Sequence, residues 1–452
     1  MKKLKESLAF LANFSWLHIW QFGLNIGVLF AALVMGLLVT RRAFFIAALI
    51  PLAFVPFSYA RVRLQAFLDQ LLSGQASTRK LLFVLISLGV TCDVIMIAQL
   101  LTARAGNPNP FLYGPGIAWV GAIWFSAHGL LFLGYMMVKP IQWLIHLVNQ
   151  ALQLHSTTAP DTLASSERRQ FLQQMGVLGA GAPFFVSFSN IKLSYDFRVE
   201  ERELTIPQWP QALDGLRIAH LSDIHVGGSM NQMRLLRMAT LTNEARPDLV
   251  MHTGDFLTHR TGNFDAPLYE ALARIHAPYG QWACLGNHDF DAPERLVQRL
   301  DQAGVTVLRN AVTTLFVQGQ PLEIAGLDYL FGQNERKERY SQLLRPWSPR
   351  PKVPRILLNH DPRAFAALPS QCADLVLSGH THGGHVGVQL GRDTALTVVG
   401  LLGIPDQGVF RRPDMTLYVT RCVGFYGYPM RLGIPPEIAL LTIRTPKPTS
   451  RS

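Results

Sequence analysis

A chain of 452 residues has room for two or three domains. Apolar residues make up 49% and charged residues only 16%, a balance that excludes an ordinary soluble enzyme over the whole length. The net charge of +11 would suit nucleic acid, but the basic residues form no aromatic-interleaved patch and sit beside apolar runs. A membrane is therefore the expected partner, and nucleic acid is not.

In chain order, residues 20–39, 43–60, 81–101 and 117–138 are each apolar over about 20 positions, the length that crosses a bilayer. Four such runs predict an N-terminal α-helical membrane domain over residues 1–155, its second span kinked by Pro51 and Pro56. Lys2, Lys3, Lys5, Arg61, Arg63, Arg79, Lys80, Lys139, Arg168 and Arg169 fall on one side of these spans. Only Arg41, Arg42 and Arg104 fall on the other, so the first side is expected to be cytoplasmic. Asp93 and His128 lie near the middles of the third and fourth spans; a local hydrogen bond is the favoured reading, with a proton or substrate pathway as the minority one. Residues 143–154 read as an interfacial helix and residues 156–160 as a linker.

Residues 156–190 are read as a connecting segment. Within it, Ser166-Glu167-Arg168-Arg169-Gln170-Phe171-Leu172-Gln173 resembles a twin-arginine export signal, departing from it at Glu167 and Gln173, and the apolar run 175–188 follows. Ala180-Gly181-Ala182 looks like a signal-peptidase site, but Pro183 should hinder cleavage, so an uncleaved fifth span is expected. The resemblance implies an inner-membrane protein with the following domain on the extracytoplasmic side.

Residues 191–452 alternate strand and helix patterns, with helices expected at 231–244 and 294–303, and read as an α/β domain with a mixed sheet. Five apolar strands each run into a polar, glycine-marked loop. These are His220-Leu221-Ser222-Asp223-Ile224-His225, His252-Thr253-Gly254-Asp255, Gly286-Asn287-His288-Asp289, Asn359-His360-Asp361-Pro362 and Ser378-Gly379-His380-Thr381-His382-Gly383-Gly384-His385. Ligands at the carboxyl ends of neighbouring strands meet in one crevice. In Asp-x-His, an extended backbone would put Asp223 and His225 on one face. Carboxylates and imidazoles without thiolate suit Mn, Fe, Zn or Ni. The four cysteines form no C-x-x-C, so no disulfide framework or sulfur-rich metal site is expected.

In this order the motifs resemble the calcineurin-like metallophosphoesterases, over about residues 216–444. The resemblance implies two packed β-sheets flanked by helices, and two divalent ions. Asp223, His225, Asp255 and His382 would hold one ion, and Asp255, Asn287, His360 and His380 the other, with Asp255 bridging. His288 would protonate the leaving oxygen and Asp289 would orient it. Two ions lower the pKa of a shared water and clamp a phosphoryl group for in-line attack, the chemistry of phosphodiester, phosphomonoester or pyrophosphate hydrolysis. His252 and His259 are read as structural, and His385 as an outer contact to a ligand or to phosphate. The segment 424–431 resembles the closing stretch of membrane-associated bacterial members, some acting on phosphodiesters and others on UDP-diacylglucosamine. There Arg431 is read either as a substrate phosphate contact through its fork or as a structural arginine bonded to a carboxylate or a carbonyl.

Two function classes follow. One is a membrane-tethered phosphohydrolase acting on a lipid-linked or envelope phosphoester; the other is a membrane sensor or scaffold whose phosphoesterase domain binds without turnover. The intact ligand set with His288 favours the enzyme. A transporter fused to a hydrolase rests on Asp93 and His128 alone. Oligomeric state is not encoded in any readable motif.

Overall fold

In a computed structural model, the described residues are 182–226, 230–258, 265–332, 336–347, 353–392, 394–426 and 430–446, with nine helical positions between 123 and 144. The apolar runs 20–39, 43–60 and 81–101, Asp93, His128, the twin-arginine-like stretch, the 156–160 linker and His259 lie outside them. Among the described residues no helix is long and apolar enough to cross a membrane. The chain divides into two compact units, Met1–Phe188 and Ser189–Ser452.

The second unit contains two six-stranded sheets. The first runs β1 (Arg198–Thr205), β14 (Glu437–Arg444), β2 (Arg217–Leu221), β3 (Leu249–His252), β4 (Gln281–Ala283), β5 (Val305–Val307). The second runs β12 (Gly408–Arg412), β13 (Met415–Val419), β9 (Leu375–Ser378), β8 (Arg355–Asn359), β7 (Gln320–Leu327), β6 (Ala311–Val317). A separate hairpin pairs β10 (Gly387–Gln389) with β11 (Ala395–Thr397). β2 through β5 are mutually parallel, as are β7, β8, β9 and β13, while β14, β6 and β12 enter antiparallel.

The strands read as unbroken apolar runs because both faces of each sheet are covered. Successive side chains alternate between layers. Ile218, Leu249, Met251, Ile356, Leu358, Leu375 and Leu377 fill the space between the sheets. Their neighbours Ala219, Leu221 and Val250 face α-helices Gln232–Glu244, Ala266–Ala273 and Pro293–Gln302 through Leu235, Leu268, Leu272 and Leu300. On the far side Leu357 and Val376 meet Tyr340 and Leu344 of helix Arg336–Leu344. The result is helix, sheet, sheet, helix. Asn231 caps the first of these helices by accepting from Arg234 N at 3.0 Å, which is why that helix begins where the sequence pattern places it. Parallel pairing brings the carboxyl ends of β2, β3 and β4 together in one sheet and those of β8 and β9 together in the other.

Candidate metal centre

Each of those five strand ends gives way to a loop, and the loops after β2, β3 and β9 bend through left-handed backbone. Asp223, His225, Asp255, His380 and His382 all have positive φ, between 51° and 69°. Non-glycine residues seldom occupy this region, and five of them converging on one place mark stored strain at a working site. This also corrects the strand-alternation argument for Asp-x-His. Asp223 and His225 lie beyond the end of β2 and converge because both are left-handed, not because an extended strand aligns them.

The side chains form two clusters, Asp223 with His225 and His382, and Asp255 with His360 and His380. His225 Nε2 is 3.8 Å from Asp223 Oδ1 and 3.6 Å from Asp255 Oδ2, and His382 Nε2 is 3.6 Å from Asp223 Oδ1. His360 Nε2 lies 3.3 Å from the same Asp255 Oδ2. Asp255 therefore stands between the clusters. Separations of 3.6–3.8 Å are too long for hydrogen bonds and suit donor atoms each about 2.0–2.2 Å from a common ion. Asp223 Oδ1, His225 Nε2 and Asn287 Oδ1 are buried without a hydrogen-bond partner. Buried polar atoms are rarely left so, and these three fit a metal-ligand role.

The outer contacts orient the donors. His360 Nδ1 is 2.6 Å from Thr253 O and His382 Nδ1 is 3.3 Å from Gly424 O. A carbonyl only accepts, so Nδ1 carries a proton on each ring and Nε2 is the nitrogen presented to a metal. Asp223 Oδ2 receives Ser222 Oγ at 2.5 Å, His380 N at 2.9 Å and Cys422 Sγ at 3.1 Å, which leaves Oδ1 free. A Cβ at Gly379 would overlap Ser222 Oγ and Asp223 Oδ2, so glycine is required there for the approach.

The local field favours cations. Burial alone would lower the pKa of His360, but the Asp255 and Asp223 carboxylates outweigh it and raise it to about 10. Burial and the neighbouring His360 push His380 down to about 4. Burial likewise lowers His220 to about 3 and His252 to about 4. These last two are structural, paired with Thr253 Oγ1 at 2.9 Å and Gln281 Oε1 at 3.1 Å.

His288 sits at the edge of the centre. Its ring centroid is 5.1 Å from that of His225, and its Nδ1 is 2.9 Å from Thr258 O. Its orienting contact is thus a backbone carbonyl. Asp289 does something else: its carboxylate accepts from Asp255 N at 2.8 Å, Gly286 N at 2.9 Å and Phe256 N at 3.0 Å, and it is 2% exposed. It ties the Asp255 loop to the Asn287 loop, and its expected role of orienting His288 is corrected accordingly.

Arg431 is a second correction. It is fully buried and donates to the carbonyls of His382 at 2.8 Å, Gly424 at 2.6 Å and Cys422 at 3.3 Å. A guanidinium closed off from solvent and turned onto these carbonyls presents no face to substrate phosphate, and the carbonyl-bonded reading holds instead. His385 Nε2 is 2.7 Å from Met430 O, with its ring 5.8 Å from that of His382, so it is an outer contact of a ligand.

Sequence reasoning missed Ser222, Cys422 and Tyr426. Tyr426 stacks on His225 with centroids 5.5 Å apart and meets His288 edge-on at 4.5 Å. Nothing local marks Cys422, which reaches Asp223 across 199 positions. Ser222 is equally unmarked, and for Tyr426 the signal is the aromatic cluster around it.

Two sheets delivering Asp, His and Asn from parallel strand ends onto a bridging carboxylate define a binuclear metallohydrolase centre. Residues 216–384 match the calcineurin-like phosphoesterase family. The metallophosphoesterase YkuE of Bacillus subtilis is 30% identical over 286 residues, covering 62% of this chain and 98% of that protein. A zebrafish (Danio rerio) transmembrane protein with a metallophosphoesterase domain is 26% identical, covering 72% of this chain and 74% of its own. The UDP-2,3-diacylglucosamine pyrophosphatase LpxG of Chlamydia trachomatis is 25% identical, covering 54% and 88%. The chain belongs to the calcineurin-like metallophosphoesterases, and it is a metal-dependent phosphoric ester hydrolase using divalent ions.

Proposed function

We propose that the protein is a membrane-anchored phosphoesterase whose binuclear centre cleaves a pyrophosphate or phosphodiester bond in a lipid-linked envelope substrate, on the extracytoplasmic side of the inner membrane. The observation that carries the binuclear part is Asp255 Oδ2, 3.6 Å from His225 Nε2 and 3.3 Å from His360 Nε2. Asp223, His225, Asp255 and His382 hold one ion, and Asp255, Asn287, His360 and His380 the other. The mixed oxygen and nitrogen donors suit Mn, Fe, Zn or Ni. When bound, such ions activate water and neutralise phosphoryl charge.

His288 serves as leaving-group acid. With Nδ1–H given to Thr258 O, its Nε2 is the nitrogen that carries the transferable proton. Membrane anchoring is supported by the four apolar runs and by the zebrafish relative, whose match covers more of this chain than the phosphoesterase unit alone. A lipid-linked pyrophosphate is supported by the similarity to LpxG. The twin-arginine-like stretch and the basic bias of one set of loops support the sidedness.

The test is turnover by the full chain in detergent, stripped of metal and reloaded with Mn, on a chromogenic phosphodiester and on a UDP-activated acylated sugar. The reading expects metal-dependent cleavage of both, with the lipid substrate preferred. Cleavage of the soluble ester alone would remove the lipid assignment.

A further inference from the structure

Residues 387–402 form a small module that joins neither six-stranded sheet: the β10–β11 hairpin followed by the short helix Val398–Leu401. Its polarity is inverted. Val388 pairs directly with Leu396, so these two share a face with Leu390, two residues on. They are 58%, 53% and 67% exposed. On the opposite face Thr397 is buried, its hydroxyl bonded to the Asp406 carboxylate. Val398, Leu401 and Leu402 extend the bare apolar surface at 57%, 73% and 73% exposure. A water-facing hairpin carries polar side chains outside and apolar ones inside; this one does the reverse, and an exposed contiguous apolar patch marks an interaction surface.

What covers it is indicated by where the chain enters the unit. Asn190 Oδ1 accepts from Gly433 N at 2.8 Å, and Ser194 Oγ accepts from Arg431 N at 2.7 Å. The same short segment holds the base of the hairpin, since Gly387 N donates to Leu432 O at 2.9 Å and Val386 bridges to Leu432. The entry point of the unit and the root of the apolar module are therefore neighbours on segment 431–433. Immediately before that entry point lies the apolar run 175–188. The hairpin also follows directly on the loop of His382 and His385, so the chain ties the module closely to the metal centre.

We infer that the apolar face of residues 388–402 docks into the outer surface of the bilayer and holds the metal centre at the lipid headgroup level. The inference rests on the membrane-anchored reading proposed above. Six partly exposed aliphatic side chains at one edge of a folded unit, beside a chain segment leaving for the membrane, are the pattern of an interfacial anchor that inserts a few ångströms into the headgroup and acyl boundary. Such docking lets a lipid-linked phosphoester reach the ions without leaving the bilayer.

The test reconstitutes the full chain in phosphatidylcholine–phosphatidylglycerol vesicles with an environment-sensitive fluorophore on Leu401→Cys. Phe316→Cys is the control, on an edge strand at 67% exposure in the native chain. Spin-labelled lipid should remove about half of the emission at position 401 and leave position 316 unchanged, as shallow insertion requires. If the protein floats with vesicles but position 401 is not quenched, in a water-like or a protein-shielded environment alike, docking is overturned while membrane anchoring stands. Failure to float at all overturns the anchored reading itself, and the docking with it.

Discussion

The Cys422 thiol lies 3.1 Å from Asp223 Oδ2, and with Ser222 Oγ and His380 N it saturates the carboxylate oxygen that faces away from the other ligands. Burial, with the Asp223 charge behind it, pushes the thiol well above its ordinary pKa, so it donates a hydrogen bond and is not a thiolate ligand. Replacing Cys422 with Ala removes one of three donors and should weaken metal binding about 10-fold. Calorimetric titration of the metal-stripped protein reads this directly, and Cys422→Ser should recover part of the loss.

His288→Ala should separate chemistry from metal binding. Its ring neighbours His225 and Tyr426 but appears in neither cluster. Turnover of an ester with a poor leaving group should fall about 100-fold, with a much smaller loss for a nitrophenyl ester that departs without a proton. Metal content should not change.

Arg431→Lys should damage the fold and not substrate binding. Burial lowers the arginine pKa to about 10, so it stays cationic at neutral pH, held by three carbonyls. A lysine ammonium cannot fork to all three, and leaving buried carbonyls unpaired should cost about 3 kcal/mol. The expected result is a lower Tm with KM unchanged in the protein that remains folded.

Asp361 gives the acid limit of stability. Its burial opposes ionisation, but Arg363, bidentate at 2.7–3.1 Å, then His380 and Arg336 lower its pKa from 3.8 to about 2. A pKa depressed in the folded state contributes stability that is fully present above pH about 4 and is lost as the pH falls through 2. Asp361→Asn should therefore cost about 2 kcal/mol at pH 7 and only about 0.4 kcal/mol at pH 2, measured by chemical unfolding at the two pH values.

Most ligand residues were legible because the strand ends that carry them are short, apolar and marked by glycine. The five strands observed, such as Arg355–Asn359 before His360 and Leu375–Ser378 before His380, follow those runs closely. What failed was inference from neighbours in sequence. Asp289 follows His288, yet its carboxylate folds back onto the amides of Asp255, Phe256 and Gly286. Arg431 lies in a loop that looks exposed, yet it closes the space beneath His382. Both are set by tertiary packing between loops from different strands, which no local pattern records. The inverted polarity of Val388, Leu390 and Leu396 was written in the sequence, but apolar alternation alone does not say which face points inward.

The central claim is that Asp255 joins two ions in one centre, and metal stoichiometry tests it most directly. The full chain, loaded with Mn and freed of excess, should carry two ions per protein, and Asp255→Asn should lose metal from both clusters together with all turnover. A single ion in the native chain, or Asp255→Asn retaining both ions with undiminished activity, would contradict the account.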